Sequence, residues 1–474
     1  MKKLYILILV SIFFPSYIFS FSGNGSGTES DPYQITNVHE LQEMNDDLSA
    51  HYILMNDIDA SETSEWNVGD HDNNAATADV AMGFDPVGTF EEENPHAGFT
   101  GSLDGQGYTI NSLYINRPSE DYVGLFGCIA DGGNIHGVDI EEADIKGNSR
   151  VGVFVGQTFA YSEESEVIIE GCSVSGRVLG VSNFVGGFCG VNYSENGISR
   201  ILDSYASAIV TGYFDVGGFC GLNFSYYNSA TVSGSYSSGS VSGYSYVGGF
   251  CGVNFTNYGI ARLSDSYAIG DVTGHDKFIG GFCSKNYLLD SSVALSITER
   301  CYSIGYVSGN NNVSGFCVSQ DTSNSSTIIF CYWDTQTSGT TQSDGGTGKS
   351  TAEMMMQSTF VDWDFNDVWC MAEGQTYPQL QYFVDCDNLV SVPEISNETE
   401  ISIYPNPADN EIRISSGEYI NTVKIINLLG NVVKEITPEN QVLIQIPVDD
   451  LPTGYYIVNV YLNKEQIAYP IIIE

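Results

Sequence analysis

The chain has 474 residues, 59 of them acidic and 16 basic, for a formal net charge of −43 at pH 7. That balance makes nucleic acid and anionic membranes poor partners. The length allows a large core and more than one domain.

Residues 1–20 read as a secretory signal peptide. Lys2 and Lys3 give a basic start, Leu4 to Phe14 an apolar core, and Ser20 and Ser22 small cleavage positions. The apolar run is too short for a stable span, no Cys succeeds it to take a lipid, and no later segment could cross a membrane as a helix. Residues 21–110 are expected to hold an N-terminal cap and the first coils of a solenoid. Residues 25–61 form the cap: Asn37 to Glu40 fits an N-x-x-E capping box, and Val38, Leu41, Met44 and Leu48 share one helical face. Two acidic clusters, Asn56-Asp57-Ile58-Asp59 and Asp70-His71-Asp72-Asn73, offer oxygen ligands of the kind Ca²⁺ takes. Neither has EF-hand or nonapeptide spacing, so solvated acid is the favoured reading over Ca²⁺, and no cofactor or metal site is assigned. Residues 98–116 alternate apolar and polar side chains around a turn at Asp104 to Gly107, as paired strands do.

From residue 111 to 340 the chain repeats itself. The line Val185-Gly-Gly-Phe-Cys-Gly190 returns at Val216 and Val247, more loosely at Ile279 and Val313, and in worn form at Val123 and Val151. The spacings run from 28 to 34 residues. A period of this size marks stacked units, each touching only its neighbours. The units lack long amphipathic stretches and are rich in Gly, Ser, Val, Tyr and Phe between turn residues, which reads as strands. A second line recurs in step: Ser204-Tyr205-Ala206, Ser235-Tyr236-Ser237, Ser266-Tyr267-Ala268, Cys301-Tyr302-Ser303 and Cys331-Tyr332-Trp333. The predicted fold is all-β, a right-handed parallel β-helix (β-solenoid) with helical caps, succeeded by a small Ig-like β-sandwich. Coils about 4.8 Å apart would stack like residues in columns.

Such stacking produces several columns. Cys189, Cys220, Cys251, Cys283 and Cys317 form one, expected to be buried free thiols, since Val155 fills the same position. Asn192, Asn223, Asn254 and Asn286 form a structural amide ladder. Beside it run Tyr193, Phe224, Phe255 and Tyr287, a candidate binding stripe if exposed and ordinary core if buried; burial is the favoured reading. Phe188 and Cys189 are adjacent and both apolar, which a straight strand cannot bury; Gly186-Gly187 is expected to turn a corner there.

Residues 341–390 are predicted to be a C-terminal cap. Ser350 to Glu353 fits a capping box, and Trp363, Phe365 and Trp369 would close the solenoid. Cys370–Cys386 is left open between a disulfide and two thiols. Residues 391–400 read as a linker. Residues 401–474 carry short strand-like runs between turns, as a small β-sandwich does.

Two stretches resemble known families. The VGGFCGxN and SYxxGxVxG lines, over roughly residues 100 to 340, resemble the GLUG repeat of bacterial surface proteins. Some IgA-cleaving metallopeptidases carry such repeats, but their HExxH motif is absent here: His39 to Glu43 lacks the second His and reads as helix surface. Residues 401–474 resemble the C-terminal sorting domain of the type IX secretion system, through Tyr404-Pro405-Asn406-Pro407, Asn427 to Gly430, and Leu451 to Tyr456, with Gly454 and Tyr455 in the last motif. The ending Tyr469 to Glu474 lacks the family's usual Lys or Arg. The resemblance implies the type IX machinery as a partner, and a protein secreted or held on the outer-membrane surface of a Gram-negative bacterium.

No catalytic motif stands out: there is no G-x-S-x-G, P-loop or paired C-x-x-C. Asp215 and Asp276 occupy similar loops with Tyr246 between, a spacing a hydrolase pair would need, yet any acid-rich solenoid offers such pairs. The reading is therefore a non-enzymatic, adhesin-like binding or structural module whose partners are glycans or host or cell-surface proteins. The alternative is a polysaccharide hydrolase or lyase on the same scaffold.

Overall fold

The structure, a computed structural model, describes residues 21–69, 80–90, 97–289, 294–320, 326–389, 402–404, 408, 410–427, 432–438, 441–462 and 466–473. The signal peptide, the Asp70 to Asn73 cluster and the linker 391–400 lie outside them. The chain divides into two compact units, residues 1–389 and 390–474.

The first unit is a parallel β-solenoid of about seven turns. One coil shows the plan. Asn183–Gly186 joins a five-stranded sheet, Cys189–Ser194 a seven-stranded sheet, and Ile198–Leu202, Tyr205–Ala206 and Ile209–Thr211 a 23-stranded sheet that runs the length of the unit. Every coil pairs with the next in parallel and in register: Cys189 faces Cys220, Asn192 faces Asn223 and Tyr193 faces Phe224.

The corner at Gly186-Gly187 accounts for the adjacent apolar pair. A Cβ on Gly187 would sit 2.2 Å from the carbonyl oxygen of Gly218 on the next coil, so only Gly allows the coils to close here. The turn leaves Phe188 and Cys189 both fully buried. The Phe column, Phe154 through Phe188, Phe219, Phe250 and Phe282 to Phe316, stacks at centroid spacings of 4.8–5.0 Å inside the coil. A second corner precedes each Ser/Cys-Tyr line and carries positive φ at Asp203, Gly234, Asp265 and Arg300, among others.

Several expectations are corrected. Residues 25–61 are more than a cap: Tyr33–Ile35 and His51–Leu54 pair in parallel and lead into Ser102–Asp104, so they are the first rungs. The helix there covers only Val38–Gln42 and passes into a 3₁₀ turn at Glu43–Asp46, which leaves Leu48 beyond it. Asn37 caps it, but Glu40 is buried and accepts from the N–H and hydroxyl of Thr36, so it is not helix surface and the box is not reciprocal. The Ser350–Glu353 box is reciprocal.

The aromatic cluster near the C-terminal end does not close the solenoid. Residues 360–389 run back along its flank over a stacked tyrosine column, Tyr205, Tyr236, Tyr267 and Tyr302. Phe383 meets Tyr205 and Tyr236 edge-on, the Tyr302 hydroxyl donates to Pro378 O at 2.7 Å, and Trp363 Nε1 donates to Phe330 O at 2.8 Å. An apolar strap fits there because the tyrosines point outward and need cover. The last rung is closed instead by residues 342–349: the Ser343 hydroxyl accepts from the N–H groups of Phe316 and Cys317, and Thr347–Lys349 pairs with Tyr332–Asp334. Cys370 and Cys386 form a disulfide.

The second unit is a sandwich of two antiparallel sheets. Ser402–Tyr404, Glu411–Ile420 and Gln441–Pro447 form one; Thr422–Asn427, Val432–Ile436, Gly454–Tyr461 and Gln466–Ile473 form the other. Ile412, Ile414, Val423, Ile425, Ile444 and Val458 lie between them.

Candidate ligand-binding face

The seven-stranded sheet sorts its side chains by pleat at the end of each strand. In Cys189–Ser194, Asn192 and Ser194 are fully buried, whereas Tyr193 between them is half-buried. The Asn column is a continuous amide chain inside the coil: Asn192 donates to Asn223 at 2.7 Å, Asn223 to Asn254 at 2.8 Å and Asn254 to Asn286 at 2.8 Å. Ser199 and Thr158 hydroxyls donate to Asn192 Oδ1, which ends the chain with no polar atom stranded. The Cys column lies in register next to it, all five residues buried and none of them in a disulfide.

The aromatic stripe turns the other way. Tyr193, Phe224, Phe255 and Tyr287 are half-buried, between the core and the open surface that the sequence left as alternatives. They stack in order with centroids 5.0, 5.0 and 4.6 Å apart, and Phe159 extends the row at 5.3 Å from Tyr193. Because each ring's faces meet its neighbours along the solenoid axis, solvent sees mainly ring edges. Face-on stacking of a sugar is therefore restricted to the ends of the row and to gaps in it.

A second column runs beside this one. The residue before each repeat's first Val or Ile has positive φ: Tyr122, Arg150, Phe184, Asp215, Tyr246, Phe278 and Asn312, between 50° and 63°. A non-Gly residue there costs roughly 1 kcal/mol, and the repetition shows that the corner demands it. Arg150 lies between two aromatic members, its guanidinium carbon 5.0 Å from the Tyr122 ring and 5.3 Å from that of Phe184, with Nε donating to Gln157 at 3.0 Å. Tyr246 and Phe278 stack at 5.1 Å, and Lys285 Nζ sits 4.9 and 4.3 Å from their centroids. Asp215 is half-buried, and burial pushes its carboxyl up to about 6 while Lys285 pulls it back. Burial, together with Lys277, lowers the Lys285 ammonium in turn. Reading the sequence by its VGGFCG line misses this column as a unit. The signal was there, one residue upstream of each copy.

Asp276 does not share the face of Asp215: the column partner of Asp215 and Tyr246 is Phe278, and Asp276 Oδ2 accepts from the Ser245 hydroxyl at 3.1 Å. The two carboxylates are thus not a pair. In the Asn56 to Asp59 cluster, Asp57 Oδ1 accepts from Thr109 N on the neighbouring coil and Asp59 Oδ1 from Ser61 N in its own turn, so both acids serve the backbone. Among the described residues no group of three or more His, Cys, Asp or Glu side chains could hold a metal ion. Of the sorting motif, Tyr404 ends one strand and Gly454 and Tyr455 begin another; Pro405, Asn406, Pro407 and Gly430 lie outside the described residues.

Comparison with known proteins agrees with both halves. Residues 243–273 match the family model for the GLUG motif, and residues 402–474 match that for the secretion system C-terminal sorting domain. The chain carries GLUG repeats and a type IX sorting tail. It is therefore an exported protein, at the cell surface or secreted, and the tail implies contact with the type IX machinery. The chain is 32% identical over 192 residues to halomucin of Haloquadratum walsbyi, which is 40% of this chain and 2% of halomucin. It is 30% identical over 118 residues to a "Putative Gly-rich membrane protein" of Evansella cellulosilytica, 24% of this chain and 12% of that one. The GLUG chain thus spans only a small part of these curated relatives. A solved structure described as a "putative immunoglobulin A1 protease" from Bacteroides ovatus aligns over 76% of this chain and 94% of its own, at 20% identity and a TM-score of 0.49. No helix among the described residues is long and apolar enough to cross a membrane.

Proposed function

We propose that this exported GLUG solenoid is a binding module, adhesin-like, whose working surface is the aromatic face. The observation that carries the reading is the half-buried row Tyr193, Phe224, Phe255 and Tyr287, stacked in register on an otherwise acidic chain. Aromatic side chains left at a surface in register, where Ser or Thr would serve the strand as well, supply contact area at low entropic cost. The partner class is a cell-surface glycan or protein. Catalysis on the same scaffold is less well supported, because among the described residues the corner column gives Asp215 no second carboxylate and Asp276 is turned to Ser245.

The test compares the full-length protein with a Tyr193→Ala, Phe255→Ala double variant on a glycan array and on whole cells, with reducing-sugar release measured in parallel. Loss of binding in the folded variant supports the reading. Unchanged binding, or sugar release by the wild type, overturns it.

A further inference from the structure

The corner column contains its own template for a ligand. Tyr122, Arg150 and Phe184 occupy three successive rungs, and the middle side chain places a guanidinium between two rings. Phe184, Asp215 and Tyr246 repeat that spacing one step further along, with the rings again two rungs, about 9.6 Å, apart. Here the middle residue is a short carboxylate. Asp215 takes no hydrogen bond from the described residues, and Lys285, the nearest cation, makes no ion pair with it. Where the first triplet has ring, cation, ring, the second has ring, anion, ring, with the outer part of the gap unfilled by its own side chain.

We propose that this notch binds the guanidinium of an arginine side chain on a partner polypeptide. The proposal rests on the binding reading above and names its partner's chemistry. A planar guanidinium stacks between aromatic faces and presents two parallel N–H donors to a carboxylate, which an ammonium cannot do. Among the described residues no ring meets Phe184 across the gap, and Phe214 stands beside Tyr246 with ring centroids 6.3 Å apart, so Phe184, Tyr246 and Phe214 line the notch. The net charge of −43 draws a basic polypeptide and repels an acidic one. Lys285 tunes the site: its ammonium opposes an incoming cation and favours one held in the directional grip of both rings and the carboxylate.

The experiment titrates full-length protein with N-acetyl-arginine amide, monitored by NMR or calorimetry, with the neutral isostere N-acetyl-citrulline amide as control. The arginine probe is expected to bind at roughly millimolar strength, as a single side chain does, and the citrulline probe about tenfold more weakly or not at all. Asp215→Asn, which keeps the shape, should cost about tenfold or more, and Phe184→Ala a similar factor. Lys285→Met should tighten binding several-fold, a gain that misfolding cannot imitate. Equal binding of the two probes, or of wild type and Asp215→Asn, overturns the assignment. So does a neutral oligosaccharide that binds the notch when the arginine probe does not. If the Tyr193→Ala, Phe255→Ala variant loses its cell or glycan partner while Asp215→Asn keeps it, the binding reading stands and the arginine notch falls.

Discussion

Asn192 Nδ2 donates to Asn223 Oδ1 on the next coil at 2.7 Å, and Asn223 passes the same bond on to Asn254. Each fully buried amide is thus donor to one neighbour and acceptor from the other. Asn223→Ala leaves a donor on Asn192 and an acceptor on Asn254 unmade in the core. The expected loss is about 2–4 kcal/mol, more than an isolated hydrogen bond is worth, because two buried groups lose partners at once. Urea melts of the full chain, reading the solenoid transition, check it; a loss under about 1 kcal/mol would show that water replaces the amide.

Phe250 is fully buried between Phe219 and Phe282, at 5.0 and 4.9 Å. Phe250→Ala opens a cavity that the rigid coil cannot collapse, and the expected cost is about 3–5 kcal/mol in the same melts.

The thiol column should be inert while folded. Burial pushes the Cys189 and Cys251 thiols up, while hydrogen bonds with their column neighbours hold those of Cys220 and Cys283 down; inertness therefore rests on full burial, which keeps a reagent from every thiol of the column. A maleimide is expected to label them slowly in buffer and quickly in denaturant without reductant. Replacing Cys189, Cys220 and Cys251 together with Val should be tolerated, since Val155 stands in register with Cys189. Intact mass decides the redox state: one bridge, Cys370–Cys386, accounts for a loss of about two mass units. A further loss mapped to the column would make it a covalent staple.

Asp215 gives an unusual pH dependence. Its folded value, about 6, lies above the unfolded ~3.9, so the folded state holds the proton more tightly. The group therefore penalises the fold fully above pH 6, and the penalty fades as pH falls through that value toward 4. Asp215→Asn should stabilise the solenoid by ~1–2 kcal/mol at pH 7.5, an effect reduced by the partial exposure of the carboxyl, and by nearly nothing at pH 4. Comparing the two proteins at each pH cancels the charge repulsion common to both. An advantage that grows toward low pH would contradict the burial effect.

The sorting tail is a compact unit with its own core. Removing residues 401–474 should leave the solenoid transition intact in denaturant melts and hold the protein in the periplasm of a type IX-competent host. Normal surface display of the truncated chain would contradict the tail's role.

The sequence determined whatever repeats. Seven copies of one line fixed the period, the parallel register, the Asn and Cys columns and the Phe188–Cys189 corner, because in a solenoid each residue meets its own equivalent about 4.8 Å away. Tertiary structure decided what depends on the direction a column faces. Periodicity says that Tyr193, Phe224 and Phe255 align, but the pleat between buried Asn192 and buried Ser194 sends them outward. The strap over Tyr205 to Tyr302 was illegible because its residues do not repeat; they are held by contacts with coils up to about two hundred residues earlier in the chain. The notch at Asp215 is likewise an exception within a periodic column. Its meaning comes from Phe184 and Tyr246 on the neighbouring rungs, which only the folded stack brings alongside it.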